Sequence, residues 1–472
     1  MRGARYLGKN ICLLTISQFG TKILSFLLVP LYTSILTTAE YGTYDLFNTT
    51  ITLLIPILTV NIADSVLRFS LDADKDKQAV FSISFGHFLV SVVFVLICLL
   101  INHFFNFSPV VDYYALYIFV MYCVAAFNGI ITNFARGLDM IKDIAISGVL
   151  CSAVLIGLNI LFFVPMRMRL NGYFLAHILG TLTQSVYLLL RVKLWKYIKV
   201  VKKGTALHKE MLDFCRPLIA NNIAWWVNNV SDRYIVTWLC GVAVNGVYSV
   251  GYKIPTILNV FQSIFSQAWT LSAVRDFDPE DSDGFFSNMY SLYNFCMVLM
   301  CSGLIFVTRI MAYFLYAKDF FEAWKYVPFL LIAIVFGSLS GYIGGIFAAV
   351  KDSKIFAQTT VLSAVINIVL NIVLVTAIGP LGAAISTAVS YWVAWALRVY
   401  NVKKYIKMRI NLVRDGMVYL ILILQSCLLY IFQSECSLLY AIELILSGLI
   451  VLLYREQVII VKNKIKKIVL KK

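Results

Sequence analysis

The chain has 472 residues, of which 61% are hydrophobic and only 14% are charged, and it carries a net charge of +16. A composition this apolar, with a mean hydropathy of +0.84, lies outside the range of soluble globular domains. It excludes a soluble enzyme or binding module and indicates an integral membrane protein. In a soluble protein the positive charge would suggest nucleic acid, so its placement along the chain has to be considered first.

Apolar runs long enough to cross a bilayer follow one another along the whole chain. A spanning helix needs about 20 mostly apolar residues, because the hydrocarbon layer is about 30 Å thick. The sequence contains about fourteen such runs and predicts an all-α integral membrane fold without a soluble domain. The first run is too long for a secretory signal and is expected to stay in the mature protein. The predicted spans are 11–36, 43–68, 79–104, 113–135, 143–165, 172–195, 216–240, 244–273, 285–308, 324–350, 355–377, 381–400, 412–432 and 437–454.

The basic residues gather on one side of these spans. With the amino terminus in the cytoplasm, the inner segments hold 32 of the 40 Lys and Arg residues and the outer loops hold five. The positive-inside rule therefore predicts cytoplasmic amino and carboxyl termini. The largest basic clusters, 191–216, 398–414 and 462–472, are expected to set topology and to contact anionic lipid headgroups rather than nucleic acid.

Two stretches of the chain resemble two later stretches. A shift of 204 residues matches Gly42 with Gly246, and the segment VLCSAVLIGLNI from Val149 resembles VLSAVINIVLNI from Val361. Helices 1–6 and 7–12 are interpreted as two copies running in the same direction, as in transporters built on parallel repeats. Chance similarity between apolar segments is the alternative. The predicted domains are a six-helix bundle over 1–195, a basic cytoplasmic linker over 196–215, a six-helix bundle over 216–400, and helices 13–14 with a basic tail over 401–472.

No residue pattern points to catalysis or to a bound group. The ten cysteines and four histidines are scattered, and the chain contains no nucleotide-binding Gly-rich loop, metal constellation or nucleophile triad. We therefore predict no enzyme activity, no metal and no cofactor. A proton or ion gradient is an expected driving force for a transporter, although no residue identifies the coupling ion.

Three basic residues lie within predicted spans and belong to neither side: Lys22, Arg233 and Lys253. A charge at the bilayer centre costs at least about 2.5–3.5 kcal/mol, so such residues usually face a partner or a wet cavity. Together the three predict an electropositive cavity for an anion, best a phosphate or pyrophosphate. Two alternatives stay open: pairing of Lys22 with Asp64 or Asp45, and snorkelling of Arg233 and Lys253 to the headgroups.

Polar side chains in the same spans are candidates for lining that cavity and binding a hydrated sugar. Asp232 precedes Arg233 but points about 100° away around the helix, so it is expected to pair elsewhere. Many of the others could instead join helices, at about 0.6 kcal/mol for each contact. Prolines at positions 30, 56, 255 and 328 are expected to kink their helices. The polar candidates are Gln18, Asn61, Asp64, Asn229, Asp232 and Asn259, and further Asn221, Asn222, Asn228, Gln262, Asn367 and Asn371.

Two segments resemble a known family. LLVPLYTSILTTAEYGTYDLF over 27–47 and VSDRYIVTWLCGVAVNGVYSVGYKI over 230–254 are similar to the opening segments of the two halves of Wzx-type flippases. These form the polysaccharide-exporter branch of the multidrug/oligosaccharidyl-lipid/polysaccharide (MOP) superfamily. The resemblance implies two six-helix bundles in a V-shaped, MATE-like arrangement, two C-terminal helices, alternating access, and a cationic cavity to which Lys22, Arg233 and Lys253 correspond.

The resemblance also implies a substrate and a location. The substrate would be an undecaprenyl-pyrophosphate-linked oligosaccharide, such as an O-antigen or capsule repeat unit, moved across the bacterial inner membrane, with a polysaccharide polymerase and chain-length machinery as partners. Three alternatives stay open: a lipid II flippase, a MATE-like antiporter using acids such as Asp45 and Asp64, and a membrane enzyme acting on the same lipid-linked sugars. The chain departs from the expected charge pattern in two outer loops, at Arg167, Arg169, Arg309, Lys318 and Lys325.

Overall fold

A computed structural model of the chain describes residues 26–72, 74–199, 205–350, 352–432, 437–459 and 462, and all regular elements in these ranges are helices. The chain divides into two compact units, Met1–Trp226 and Val227–Lys472. The earlier helices are α1 (Val29–Ile35), α2 (Thr38–Leu58), α3 (Ile62–Ser70), α4 (Lys77–Phe105), α5 (Pro109–Tyr113), α6 (Ala115–Gly137), α7 (Ile141–Phe163), α8 (Arg169–Val192) and α9 (Ala206–Cys240). The later helices are α10 (Val242–Gly251), α11 (Pro255–Arg275), α12 (Phe285–Leu315), α13 (Val327–Ala349), α14 (Ser353–Ile378), α15 (Pro380–Val402), α16 (Leu412–Ile431) and α17 (Ser437–Leu453).

The helices confirm the predicted all-α membrane fold. Within the described ranges, nine helices are long and apolar enough to cross a membrane, or ten if the bent pair α2 and α3 forms one span. The number is below fourteen because most of the first predicted span lies outside those ranges, α10 and α17 are short, and α9 and α11 are less apolar. The chain is a multi-pass membrane protein.

The outer faces of two helices are apolar. Many large apolar side chains point outwards along α4 and α14, whereas several hydroxyl and amide side chains of the same helices are buried. A helix that meets lipid on its outer face and other helices on its inner face has this distribution. Exposed examples are Val90, Val93, Phe94, Val361, Val365 and Val369; buried examples are Ser84, Ser91, Ser363, Asn367 and Asn371.

Each unit packs its helices in the same order. In the first unit α6 packs against α3 and α8, and α8 packs along α7. In the second unit α13 packs against α11 and α15, and α15 packs along α14. The starts of α2 and α10 are 204 residues apart, and those of α7 and α14 are 212 apart. These offsets equal the shifts at which the sequence segments resemble each other.

A buried asparagine at the same place in each unit supports the correspondence. Asn159 on α7 donates from Nδ2 to the backbone oxygen of Leu155 at 2.8 Å. On α14, Asn371 donates in the same way to the backbone oxygen of Asn367 at 3.0 Å. Both side chains satisfy a donor inside their own helix, which suits a position without water.

Glycines allow the corresponding helix crossings to be close. A Cβ atom at Gly137 would lie 2.4 Å from the Cβ of Ser70, where α6 meets α3. At Gly345 a Cβ would lie 2.7 Å from Nε1 of Trp269, where α13 meets α11. Small residues at such contacts are typical of membrane helices.

Both units contain a broken helix near a proline. Pro56 lies inside α2, which ends at Leu58 and meets α3 at an angle of 59°. In the second unit α10 ends at Gly251, and Pro255 begins α11. Pro328 was expected to kink a helix, but this was wrong: it lies in the first turn of α13, where a missing backbone donor costs nothing.

The predicted linker over 196–215 is partly helical. α9 begins at Ala206, ten residues before the predicted start of the seventh span at 216, and continues unbroken to Cys240. Its first turns carry charged residues such as Lys209 and Glu210, and a search for apolar runs therefore misses them. The division between the two units falls within α9, after Trp226.

Candidate cationic site

Five polar residues of α9 lie at the beginning of the second unit: Asn228, Asn229, Ser231, Asp232 and Arg233. One helical turn further on, Val236 packs into an apolar core with Tyr248, Leu330 and Val375. This core joins α9, α10, α13 and α14, and it fixes Tyr248 opposite the polar part of α9. The polar residues of α9 therefore lie next to a packed apolar core.

Asp232 is buried and is surrounded by hydrogen-bond donors. Its side chain is 2% exposed and accepts hydrogen bonds from the hydroxyls of Tyr248 at 2.6 Å and Tyr252 at 2.5 Å. The backbone N–H of Arg233 donates to its other oxygen at 2.9 Å. Such donors offset the cost of removing a carboxylate from water. Asp232 was expected to pair with a group other than the Arg233 side chain, and its side-chain partners are two tyrosines.

Tyr252 also contacts Arg233. The guanidinium carbon of Arg233 lies 5.0 Å from the centroid of the Tyr252 ring, within the range of a cation–π interaction. The same tyrosine therefore contacts the acid through its hydroxyl and the base through its ring. Arg233 is half-buried, so its charge lies within the protein but is not sealed from the surroundings.

Lys253 directly follows Tyr252 in the three-residue break between α10 and α11. Its backbone N–H donates to the carbonyl of Val250 at 2.9 Å, and the residue is half-buried. The fold thus brings Arg233 next to the break that carries Lys253. Asn259, another predicted lining residue, lies half-buried on α11.

Several of the predicted polar residues join helices. Asn229 accepts a hydrogen bond from Tyr391 at 2.7 Å, which connects α9 to α15. Ser231 donates to Asn367 at 3.3 Å, and Asn228 donates to the backbone oxygen of Thr360 at 3.2 Å, both on α14. These contacts favour the helix-joining alternative for these asparagines.

The predicted polar residues of the first unit form a local pair. Asn61 donates to the carboxylate of Asp64 at 2.8 Å, at the break between α2 and α3. Val60 and Asn61 adopt the left-handed region there, with φ of 55° and 52°. The predicted residues Lys22 and Gln18 lie outside the described residues.

Arg398 is a buried cation that the sequence analysis missed. It was assigned to a basic cluster that contacts headgroups, but its side chain is 5% exposed inside α15. It donates to Thr359 at 3.0 Å, Thr360 at 2.8 Å and the backbone oxygen of Ser340 at 3.0 Å, and it lies over the ring of Phe356. The assignment was wrong because α15 continues beyond Arg398 and packs against α13 and α14.

Two of the basic residues that departed from the charge pattern have acidic partners. Arg169 forms two hydrogen bonds with Glu40, at 3.0 and 2.8 Å. Lys325 forms an ion pair with Glu322. Part of the excess positive charge in these loops is therefore neutralised locally.

The chain is similar in sequence to a known protein family. A sequence model of the family described as "Polysaccharide biosynthesis protein" matches residues 7–271, which is more than half of the chain. No curated protein sequence matches the chain at a significant level.

Solved structures share the fold. The lipid II flippase MurJ in an inward closed conformation has a TM-score of 0.71 and 15% identity, over 95% of this chain and 99% of that chain. An inward-facing multidrug resistance MATE family transporter of the MOP superfamily has a TM-score of 0.66 and 16% identity, over 83% of this chain and 98% of that chain. The corresponding outward-facing transporter gives 0.59 and 14%, over 85% and 97%.

At these identities the likeness concerns the fold alone. The matched structures are described as transporters and a flippase, and none of these three is described as an enzyme. The resemblance stated from the two opening segments is confirmed by the family match and by the shared MOP fold. The chain belongs to the polysaccharide biosynthesis protein family.

Proposed function

We propose that this protein is a flippase for a lipid-linked oligosaccharide, and that Arg233 and Lys253 bind the pyrophosphate of the substrate. The cargo is a surface-polysaccharide repeat unit, such as an O-antigen or capsule unit, carried on undecaprenyl pyrophosphate and moved by alternating access. The observation that carries the proposal is the arrangement of Arg233 over Tyr252, beside the helix break that bears Lys253.

The chemistry of this arrangement suits an anion. Arginine presents a planar fork that matches phosphate oxygens, and lysine supplies a mobile point charge. The carboxylate of Asp232 accepts hydrogen bonds from Tyr248 and Tyr252. These donors spread its negative charge and weaken its competition with an incoming phosphate.

The distribution of basic residues bears on the orientation of the protein in the membrane. The strong excess of Lys and Arg on one side of the predicted spans supports cytoplasmic termini. The bacterial inner membrane is the location that the resemblance to Wzx-type flippases implies. Substrate would then be loaded from the cytoplasmic leaflet. A polymerase and chain-length machinery would consume the exported units.

The proposal is tested in a deletion strain of the native host by measuring surface polysaccharide at equal protein abundance in the membrane. Replacing Arg233 and Lys253 together by Ala should reduce export at least about 10-fold, since hydrogen bonds to charged groups contribute about 1.5–3 kcal/mol. The matched control is Arg275→Ala, because Arg275 lies exposed at the end of α11 and pairs with Asp276. Unchanged export in the double variant would refute the proposed site.

The substrate class is tested with purified protein in vesicles. We expect movement of a fluorescent oligosaccharide on undecaprenyl pyrophosphate. Movement of lipid II alone would favour the lipid II alternative. Uptake of a cationic dye that is abolished by Asp64→Asn would favour the antiporter.

A further inference from the structure

Glu443 is a buried acid in the last described helix. Its side chain is 1% exposed, and neither carboxyl oxygen has a hydrogen-bond partner. It lies on α17, about 9 Å along the helix from Ser437 at about 1.5 Å per residue. α17 packs against α12 and α16, so Glu443 belongs to the terminal helices rather than to the cationic site.

Gln425, on the helix that faces Glu443, also has a polar atom without a hydrogen-bond partner. Gln425 on α16 is 0% exposed, and its Nε2 donates to the backbone oxygen of Glu443 at 3.3 Å and to Ser447 at 3.2 Å. Its Oε1 has no hydrogen-bond donor. Ser447 lies one helical turn after Glu443 and is also within 2.8 Å of the hydroxyl of Ser302 on α12. A carboxyl group and an amide oxygen, both buried and both lacking a donor, thus lie on facing helices.

The described charged groups on the surrounding helices are engaged elsewhere. Asp415 on α16 pairs with Arg414 at 2.9 Å and accepts from Tyr454. Arg309 on α12 lies over the ring of Trp324. On α17 itself the nearest titratable group is Tyr440, whose ring packs on Phe306. None of these groups forms an ion pair with Glu443.

A buried carboxylate without donors is costly, whereas a protonated carboxyl group supplies a donor of its own. Oε1 of Gln425, which accepts no hydrogen bond, offers an acceptor on the facing helix. We propose that Glu443 is a proton-binding site of the terminal helix pair, with Oε1 of Gln425 accepting the hydrogen bond of the bound proton. The carboxylate takes up one proton to form a neutral O–H group and releases it when water reaches the packed helices.

For a flippase, such a site is a place at which a proton gradient can act on the terminal helices. That consequence rests on the proposed function. The protonation itself does not, because it concerns only the packing of α12, α16 and α17. Protonation of Glu443 and its role in transport therefore need separate tests.

Protonation is measured by infrared spectroscopy on the purified full-length protein in lipid nanodiscs, with isotope-labelled glutamate. We expect a protonated carboxyl band near neutral pH that is lost in Glu443→Gln, a variant of nearly equal shape. The matched control is Asp415→Asn, because Asp415 is equally buried but has Arg414 as its partner; the band should remain. No such band in the wild type, or its persistence in Glu443→Gln, would overturn the proposal.

Two further measurements test the role of Gln425 and the specificity of the site for a proton. Gln425→Met removes the acceptor and should shift the band to the frequency of a more weakly hydrogen-bonded carboxyl group; an unshifted band would remove Gln425 from the site. Loss of the band on adding sodium at constant pH would show that a metal cation competes with the proton and would overturn a proton-specific site. If the band behaves as expected but export in Glu443→Gln still follows the proton gradient, the site stands and its role in coupling is overturned.

Discussion

The guanidinium of Arg233 lies over the aromatic ring of Tyr252, 5.0 Å from its centroid, while the hydroxyl of the same tyrosine donates to Asp232. One aromatic side chain therefore keeps an acid and a base, adjacent in sequence, in separate environments. Arg233 is held by the face of the ring, and Asp232 is satisfied at its edge.

The two functions of Tyr252 can be separated by substitution. Tyr252→Phe keeps the ring beneath Arg233, whereas Tyr252→Leu removes the ring and the hydroxyl. Since a cation–π interaction contributes about 0.5–2 kcal/mol, the leucine variant should bind a soluble pyrophosphate analogue about 2- to 30-fold more weakly than the phenylalanine variant. Titration calorimetry on purified protein checks this, and equal affinities would mean that the ring does not position Arg233.

We expect the hydrogen bonds of Asp232 to stabilise the folded protein. Asp232→Ala leaves the hydroxyls of Tyr248 and Tyr252 without their shared acceptor. A buried polar group without a partner lowers the free energy of unfolding by about 1–3 kcal/mol. Asp232→Asn keeps one acceptor oxygen and should unfold at a temperature closer to that of the wild type. Thermal unfolding in detergent compares the two, and an alanine variant as stable as the asparagine variant would contradict the role given to these hydrogen bonds.

We expect lysine at position 398 to reduce stability, and lysine at position 233 to reduce export. Arg398 holds α13, α14 and α15 together through several acceptors, and a lysine cannot reproduce this fork. We expect Arg398→Lys to lose about 2–4 kcal/mol of stability and much of its membrane abundance. Arg233→Lys should keep normal abundance and lose export. Normal abundance and stability of Arg398→Lys would show that Arg398 does not hold these helices together.

Gly382 tests the close packing of α15 on α14. A Cβ there would lie 2.3 Å from the backbone carbonyl carbon of Leu374, which cannot move independently of its helix. Gly382→Ala should therefore destabilise the protein by about 1–3 kcal/mol or more. Gly303→Ala is the control, since a Cβ at Gly303 meets no atom within 4 Å. A similar unfolding temperature for both variants would disprove the close approach.

The helices and their repetition follow from the sequence to a large extent. Apolar length predicts α4, α6, α7 and the other long helices, because lipid imposes a minimum span. The repeat could also be predicted in register, because α10 begins 204 residues after α2. The position of the helix break in each copy could not be predicted from the sequence. Pro56 lies near the end of α2, whereas Pro255 starts α11, and the resemblance between the copies does not extend to these prolines.

The site was predictable in its residue types but not in its contacts. Hydropathy identified Arg233 and Lys253 as charges inside spans, whereas Tyr252, which contacts Arg233, carries no charge and gave no signal. Arg398 was missed because it lies near a basic cluster at the end of a span. Glu443 and Gln425 were not singled out, because only the facing of two helices shows that their oxygens lack donors.

The helix breaks of the two units carry opposite chemistry. In the first unit the break leads to an amide and an acid, Asn61 and Asp64, which bind each other. In the second unit the break carries a tyrosine and a base, Tyr252 and Lys253. Because both copies lie in one polypeptide, each could diverge in charge without disturbing the shared packing order. The chain thus joins two related bundles whose helix breaks differ in charge, so that a substitution in one break alters the charge of one copy only.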